Sequence, residues 1–150
     1  MFDTIVYFVS LVVGIAGLGY GLVEFRRALD SKHWLVREAE VLDSRIDEHR
    51  GGITGTRYSP FLCYEYRHDG LVYKGKRIMF SGLGLTSSRE KVEEFLVPFA
   101  QGTHIAVHVS PRDPRVSVIE PGVDRRLKLM LFGTSYFILI GVGGFLGWWK

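Results

Sequence analysis

IVYFVSLVVGIAGLGYGLV, residues 5–23, decides the architecture of this chain, because it runs for 19 residues without a charge. A helix of that length rises roughly 28 Å, close to the hydrocarbon thickness of a bilayer. A second uncharged stretch, LMLFGTSYFILIGVGGFLGWW at residues 129–149, rises roughly 31 Å. The sequence therefore predicts two transmembrane helices, at residues 1–25 and 127–150, flanking a soluble domain at residues 26–126.

Two other interpretations of these stretches are weaker. A cleaved signal peptide requires a positive amino-terminal region, whereas this chain begins Met1-Phe2-Asp3-Thr4. A buried core helix at residues 129–149 requires more protein around it than a domain of this size provides. We therefore expect the lipid bilayer to surround both helices.

Each apolar segment carries small residues at helical spacing. Gly17 and Gly21 form a G-x-x-x-G pattern, as do Gly143 and Gly147. In lipid, such glycines let two helix backbones approach closely. We expect these four residues to mediate helix packing, either between the two segments or with a second copy in a homo-oligomer.

The flanking charges predict an orientation. Basic residues follow the first apolar segment and precede the second: Arg26, Arg27, Lys32, Arg37, Arg125, Arg126 and Lys128. The only charged side chains on the far sides of the two apolar stretches are those of Asp3 and Lys150. The positive-inside rule then places the middle domain in the cytoplasm and both termini outside, in a multi-pass protein of the cell or inner membrane.

Period-2 alternation dominates the middle domain and predicts strands. The dipeptide Asp69-Gly70 is a strong hairpin signal between two of them. One helix is expected after Ser87, as N-cap with Glu90 three positions later, and ends at Pro98. The predicted strands are Val36–Ile46, Tyr58–Arg67, Leu71–Phe80, Ile105–Val109 and Val116–Ile119. The predicted fold is α+β, with a small antiparallel β-barrel or β-sandwich and one short helix.

Charge and motifs limit the function classes. The chain has 19 Lys and Arg against 16 Asp and Glu, interspersed, so the basic stripe of a nucleic-acid-binding protein is absent. His104 and His108 stand four apart on a strand, about 13 Å from each other, which is too far to share a metal. We expect no catalytic residues, no cofactor and no metal. Cys63 is the only cysteine, so it forms no intrachain disulfide.

Four tyrosines are the candidate binding residues of the domain. Tyr58, Tyr64, Tyr66 and Tyr73 lie on predicted strands, where they are positioned to line a binding groove. Strand tyrosines more often serve cross-strand packing, so both readings stay open.

The spaced pattern of the domain resembles a bacterial membrane-anchored family, that of the domain of unknown function 3592. The resemblance rests on Trp34, residues 39–44, Tyr58-Ser-Pro60, Tyr64-Glu-Tyr66, Asp69-Gly70, Tyr73-Lys-Gly75, Arg77, Pro98, Gly102, residues 107–114 and residues 119–122. It implies flanking helices like those predicted here. It supplies no reaction, cofactor or catalytic residue.

We therefore expect a non-enzymatic membrane protein whose β-domain acts in protein interaction or regulation. One alternative is an accessory or immunity-type protein that works through its helices. Another is a membrane-bound small-molecule sensor or enzyme with a site among the tyrosines, which would show a deep pocket with convergent polar groups.

Overall fold

A computed structural model describes residues 2–51, 55–81, 86 and 88–146. The chain forms two compact units. The first, here called the helix pair, combines Met1–Ala28 with Val123–Lys150. The second, here called the sheet domain, is Leu29–Gly122. The apolar ends of the sequence thus form one unit and the alternating middle forms the other.

The described elements follow the predicted order, with different bounds for several of them. They are α1 (Phe2–Asp30), β1 (Leu35–Gly51), β2 (Gly55–His68), β3 (Leu71–Gly75), α2 (Arg89–Leu96), β4 (His104–Val109), β5 (Ser117–Val118) and α3 (Arg125–Phe145). Short 3-10 turns follow α1 at Ser31–His33 and α2 at Val97–Phe99.

In the helix pair, α1 and α3 pack antiparallel through small residues. Glycines of one helix lie so close to the other that an added Cβ would stand within about 3 Å of its neighbour. The close pairs are Gly14 with Ile138, Gly17 with Thr134, Gly21 with Leu131 and Gly141 with Leu11. Along this series of contacts the residue numbers rise in α1 and fall in α3. The C-terminal end of α1 therefore lies beside the N-terminal end of α3.

The sheet domain is an open antiparallel sheet in the order β3-β2-β1-β4-β5. The predicted closed barrel or sandwich is therefore wrong, since β3 and β5 are not paired as strands. The segments that follow them are nevertheless joined, because Ile119 N–H donates to Arg77 O at 3.3 Å and Glu120 N–H donates to Ile78 O at 2.8 Å. The sheet is thus curled until its two edges nearly meet.

The inner face of the curled sheet forms the core. Its first cluster contains Ala39, Tyr64, Tyr66, Val107 and Val109. A second cluster of Val41, Leu62 and Ile78 packs against the apolar side of α2 and the turn after it. The alternation predicted for β1 and β2 is confirmed, since Ala39, Val41, Leu62, Tyr64 and Tyr66 are all buried.

The hairpin at Asp69-Gly70 is also confirmed. Both residues have positive φ, 50° and 79°, as a type I′ turn requires, and His68 pairs with Leu71 across it. The second strand of this hairpin ends at Gly75 instead of Phe80. The chain leaves the sheet there, which brings Ile78 into the core and offers the carbonyls of Arg77 and Ile78 to the opposite edge.

Two further bounds differ from the sequence-based expectation. β1 extends to Gly51 and contains a register shift between Val41 and Asp43, which leaves Leu42 as a bulged residue. The N-cap of α2 is Ser88, whose Oγ accepts from Lys91 N–H at 3.3 Å. Ser87, the predicted cap, lies outside the described residues.

The sheet domain begins and ends at adjacent points. Gly122 N–H donates to the buried Ser31 Oγ at 3.0 Å, and a Cβ at Gly122 would collide with the Lys32 side chain. The first and last residues of this unit are therefore held side by side.

Candidate interaction surface

The structure places three of the four candidate tyrosines on the inner face of the sheet. Tyr64 and Tyr66 are fully buried, 0% and 1% exposed, and the ring of Tyr73 stacks on that of Tyr66 at 5.9 Å. Tyr58 stands apart, opposite Glu48 near the far end of the long β1–β2 ladder. In this arrangement Tyr64 and Tyr66 line no open groove, because their rings fill the core. A ligand role for the tyrosines stays a prediction.

The buried hydroxyls are used inside the domain. Tyr64 Oη donates to Arg77 O at 3.0 Å and lies 3.1 Å from Ser117 Oγ, while Tyr66 Oη donates to Pro114 O at 2.5 Å. Burial raises the pKa of both phenols. The two tyrosines thus join the curled edges of the sheet as neutral hydrogen-bonding groups.

Of the four glycines expected to pack helices, two have described neighbours. Gly17 faces Thr134, and Gly21 faces Leu131 and Met130. Gly143 is buried in α3, and Gly147 lies outside the described residues. Gly14 and Gly141, which were not singled out from the sequence, approach backbone atoms of the facing helix. Gly14, Gly17 and Gly21 of α1 are therefore directed at α3 of the same chain.

The outer face of the sheet carries exposed charged side chains. A straight row of charged side chains crosses four strands on it, in the order Lys74, Glu65, Glu40 and His104. Lys74, Glu40 and His104 are exposed and Glu65 is half-buried. Neither of the two core clusters described above includes them. We define these residues, with Glu38, as the outer-face row.

Two acids in the outer-face row oppose each other. Glu40 and Glu65 are direct partners in the β1–β2 register. Like charges at such positions destabilise a sheet by a few tenths of a kcal/mol up to about 1 kcal/mol. Lys74 pairs with Glu65 on one side, His104 pairs with Glu40 on the other, and His104 Nδ1 lies 2.9 Å from Glu38 Oε1. The outer face therefore has an acidic centre with cationic or titratable neighbours.

A shallow groove runs beside this row between β1 and β4. Its volume is about 320 Å³, and it is lined by Val36, Arg37, Glu38, His104, Ile105 and Ala106. Ligand pockets usually enclose 300 to 1,000 Å³ and surround most of the ligand. This groove is at the lower limit and open, so its geometry suits a strip of another macromolecule better than an enclosed small molecule.

The histidines keep the separation expected of a strand. His104 and His108 both lie on β4, and His108 pairs with Val118. Within the described ranges, no three His, Cys, Asp or Glu side chains are grouped closely enough to hold a metal. His68, the last residue of β2, is 7% exposed, and the described residues offer its Nδ1 no hydrogen-bond partner.

Sequence reasoning missed the outer-face row because it depends on register. Alternation alone places Glu38 and Glu40 opposite the core on β1. Which residue of β2 stands beside Glu40 depends on the one-residue bulge at Leu42, and the D-G turn sets Lys74 beside Glu65. Only the cross-strand pairing shows that Glu40 faces Glu65.

Comparison with known proteins agrees with the division into two units. No curated protein matches the chain. A family model described as "Domain of unknown function (DUF3592)" matches residues 37–124, which covers the sheet domain from β1 to the residue before α3. The match spans more than half of the chain, and this protein belongs to the DUF3592 family.

Proposed function

We propose that this chain is an integral membrane protein with two transmembrane helices that presents its DUF3592 domain at the membrane surface. The main support for membrane insertion is the apolar surface that the helix pair leaves exposed. Both helices are long and apolar enough to cross a membrane, with mean hydropathy of 2.0 and 1.5. Only 11% and 17% of these segments is buried within the protein itself.

The side chains left uncovered are large and apolar. On α1 they include Phe8, Val9, Val12, Val13 and Ile15, each about half exposed or more; on α3 they include Leu129, Phe132, Phe137 and Leu139. A soluble monomer rarely exposes a continuous apolar patch above a few hundred Å². Each such side chain gains about 1.5 to 3 kcal/mol when fully removed from water. A bilayer supplies that environment around the whole pair.

Membrane retention tests this proposal directly. Full-length protein should stay with the membrane pellet after alkaline carbonate washing and should need detergent for release. Val9→Lys with Val13→Lys should reduce retention, because each lysine would face hydrocarbon at a cost of roughly 3 kcal/mol. Val36→Lys with Val72→Lys is the matched control on exposed positions of the sheet domain. Wild-type protein that is monodisperse in buffer without detergent would overturn the proposal.

The orientation is part of the same proposal. The basic residues that flank the sheet domain support a cytoplasmic domain with both termini outside. A reporter that is active only in the cytoplasm should be silent at either terminus and active when inserted in the sheet domain. The opposite pattern would reverse the topology without affecting the membrane assignment.

The outer-face row supports a non-enzymatic role for the domain in protein interaction. Its central acids favour a partner with a basic contact surface, and the neighbouring open groove provides contact area. A photo-crosslinker at Ala106 should give one discrete adduct in native membranes. Glu40→Lys with Glu65→Lys should abolish that adduct, while Glu90→Lys with Glu93→Lys on α2 should not.

The outcomes of this crosslinking experiment separate the rival functions. An adduct of twice the monomer mass would identify a second copy as the partner. An adduct that survives the Glu40 and Glu65 reversals, or that is missing from the wild type, would overturn the role of the outer-face row.

A further inference from the structure

One end of the helix pair carries a concentration of positive charge. Arg26 and Arg27 lie near the end of α1, while Arg125, Arg126 and Lys128 lie in the first turn of α3. All five are exposed, and the antiparallel packing brings both groups to the same end of the pair. Arg27 forms an ion pair with Glu24 at 3.1 Å. Across the described part of the chain, the other four have no ion pair.

Helix stability accounts for the cations of α1 and not for those of α3. A helix C-terminus carries partial negative charge and is stabilised by Arg27 in the last turn of α1, which follows Arg26. A helix N-terminus carries partial positive charge, and each cation there is unfavourable. The first turn of α3 nevertheless contains no acidic residue. The N-cap Asp124 accepts from Leu127 N–H at 2.9 Å and is thereby used in capping. Three cations thus stand where the helix itself disfavours them.

Each cation also has an exposed apolar side chain one helical turn closer to the middle of the helix. The pairs are Arg26 with Leu22, Arg27 with Val23, Arg125 with Leu129, Arg126 with Met130 and Lys128 with Phe132. Residues four apart lie on the same side of a helix. This repeated order, cation and then apolar surface, matches an amphiphile whose anionic head adjoins a hydrocarbon chain.

We propose that this end of the helix pair binds anionic phospholipid. The headgroup phosphate lies among Arg125, Arg126 and Lys128, and the acyl chains follow Leu129 and Phe132. The proposal rests on membrane insertion and adds a lipid preference to it. Nucleic acid and free phosphate share the anionic chemistry, but neither would use the apolar half of the five pairs.

Lipid titration of the full chain in a neutral detergent tests this site. Dioctanoyl phosphatidylglycerol should bind and raise the thermal midpoint, whereas dioctanoyl phosphatidylcholine and glycerol 3-phosphate should have little effect. Arg125→Gln, Arg126→Gln and Lys128→Gln together should weaken phosphatidylglycerol binding on the order of a hundredfold, about fivefold for each cation removed. Added salt should weaken binding to the wild type and not to this variant.

A matched control removes the same charge elsewhere. Arg57, Lys91 and Arg112 are exposed cations of the sheet domain, and their joint replacement by Gln should leave phosphatidylglycerol binding unchanged. Equal affinity of the wild type for the two lipids, or full binding by the α3 variant, would overturn the proposal. Glycerol 3-phosphate that binds as well as the lipid would replace it with a soluble anion site. Wild-type protein that stays in the membrane pellet without lipid preference would refute only this inference.

Discussion

The two units of the protein solve the packing problem in opposite ways. In the helix pair the contact surface is made by missing side chains, at Gly14, Gly17, Gly21 and Gly141, and the large apolar groups point outward. In the sheet domain the large groups point inward, with Tyr64 and Tyr66 at the centre and charged side chains on the outer face. The same chain thus places its bulky residues on opposite sides of its two folds.

The difference fits the membrane location proposed for the helix pair. In hydrocarbon, burying apolar side chains between helices gains no hydrophobic free energy, so helices in lipid associate through close backbone contact. In water, burial of a tyrosine ring is favourable, provided that its hydroxyl finds a hydrogen-bond partner. Tyr64 meets both conditions through Arg77 O and Ser117 Oγ. The comparison predicts that the two units respond to different substitutions, and four experiments test this separation.

The largest effect should come from the centre of the sheet domain. Tyr64→Ala removes a fully buried ring and should lower the free energy of unfolding of this domain by about 3 to 5 kcal/mol. The helix pair should stay packed. Pulse proteolysis in urea, applied to the detergent-solubilised full chain, follows the domain. Loss of helix packing in the same variant would show that the two units are not separable.

The converse experiment targets the helix contact. Gly14→Leu should separate the helices at a cost of roughly 1 to 3 kcal/mol, because a Cβ there would lie 2.9 Å from the backbone nitrogen of Ile138. Gly19→Leu is the matched control, since nothing lies within 4 Å of the added Cβ. The distance between spin labels at Val13 and Leu139, in a Cys63→Ser background, should lengthen only in the first variant. Equal label distances in both variants would show that the contact at Gly14 does not hold the two helices together.

This helix geometry also changes how a role carried by the helices should be tested. Substitution of Gly17 or Gly21 by Leu would disrupt the contact between α1 and α3 within the chain. A loss of biological function in such a variant would therefore not identify an external partner of the helices. Exposed positions such as Val9 and Phe132 are better probes, because they face away from the contact.

A smaller effect should appear at alkaline pH. Burial raises the pKa of Tyr64, whereas a tyrosine in the unfolded chain titrates near 10. Above pH 10 the unfolded state therefore binds fewer protons than the folded state, and stability falls as pH rises. Tyr64→Phe should cost about 1 to 2 kcal/mol at neutral pH through its lost hydrogen bonds, and should decline less steeply above pH 10.

Tyr73→Phe is the control for that variant. Within the described part of the chain the Tyr73 hydroxyl has no hydrogen bond, so its loss should change neutral stability little. Unfolding midpoints measured from pH 8 to pH 12 distinguish the two. Parallel alkaline declines in wild type and Tyr64→Phe would show that Tyr64 titrates normally in the folded domain.

The smallest effect concerns the outer face and has the opposite sign. Glu40→Gln should stabilise the sheet domain by about 0.2 to 1 kcal/mol, because it removes the repulsion from Glu65. The gain should shrink at high salt. Glu94→Gln, at an exposed position of α2, should change stability less. A loss of stability in Glu40→Gln would mean that Glu40 is held by a favourable contact.

Much of the fold follows from local sequence signals. The charge-free runs give the two helices, the alternation of Leu62, Tyr64 and Tyr66 gives the core side of β2, and Asp69-Gly70 gives the hairpin. What failed depends on tertiary contacts. At Gly75, where β3 ends, the Tyr64 ring fills the space where a Cβ would stand, which no window around Gly75 reveals. The open sheet, likewise, results from how far its two edges curl toward each other.

The interaction surface was harder to predict from the sequence than the fold was. Alternation identifies which residues leave the core, but a charged row across four strands requires the pairing of all of them. The helix contact shows the same limit. The G-x-x-x-G pattern indicated Gly17 and Gly21, while Gly14 and Gly141 belong to no such motif and are recognised only from the facing helix.

The hydrogen bond between Gly122 and Ser31 has a consequence for engineering. Since the sheet domain begins and ends at neighbouring residues, it has the geometry of a domain insertion, which a host protein accepts when the two ends of the insert are close. Residues 29–122 should therefore be transferable into a surface loop of an unrelated carrier with short linkers. The same proximity suits circular permutation, with new termini placed in an exposed loop.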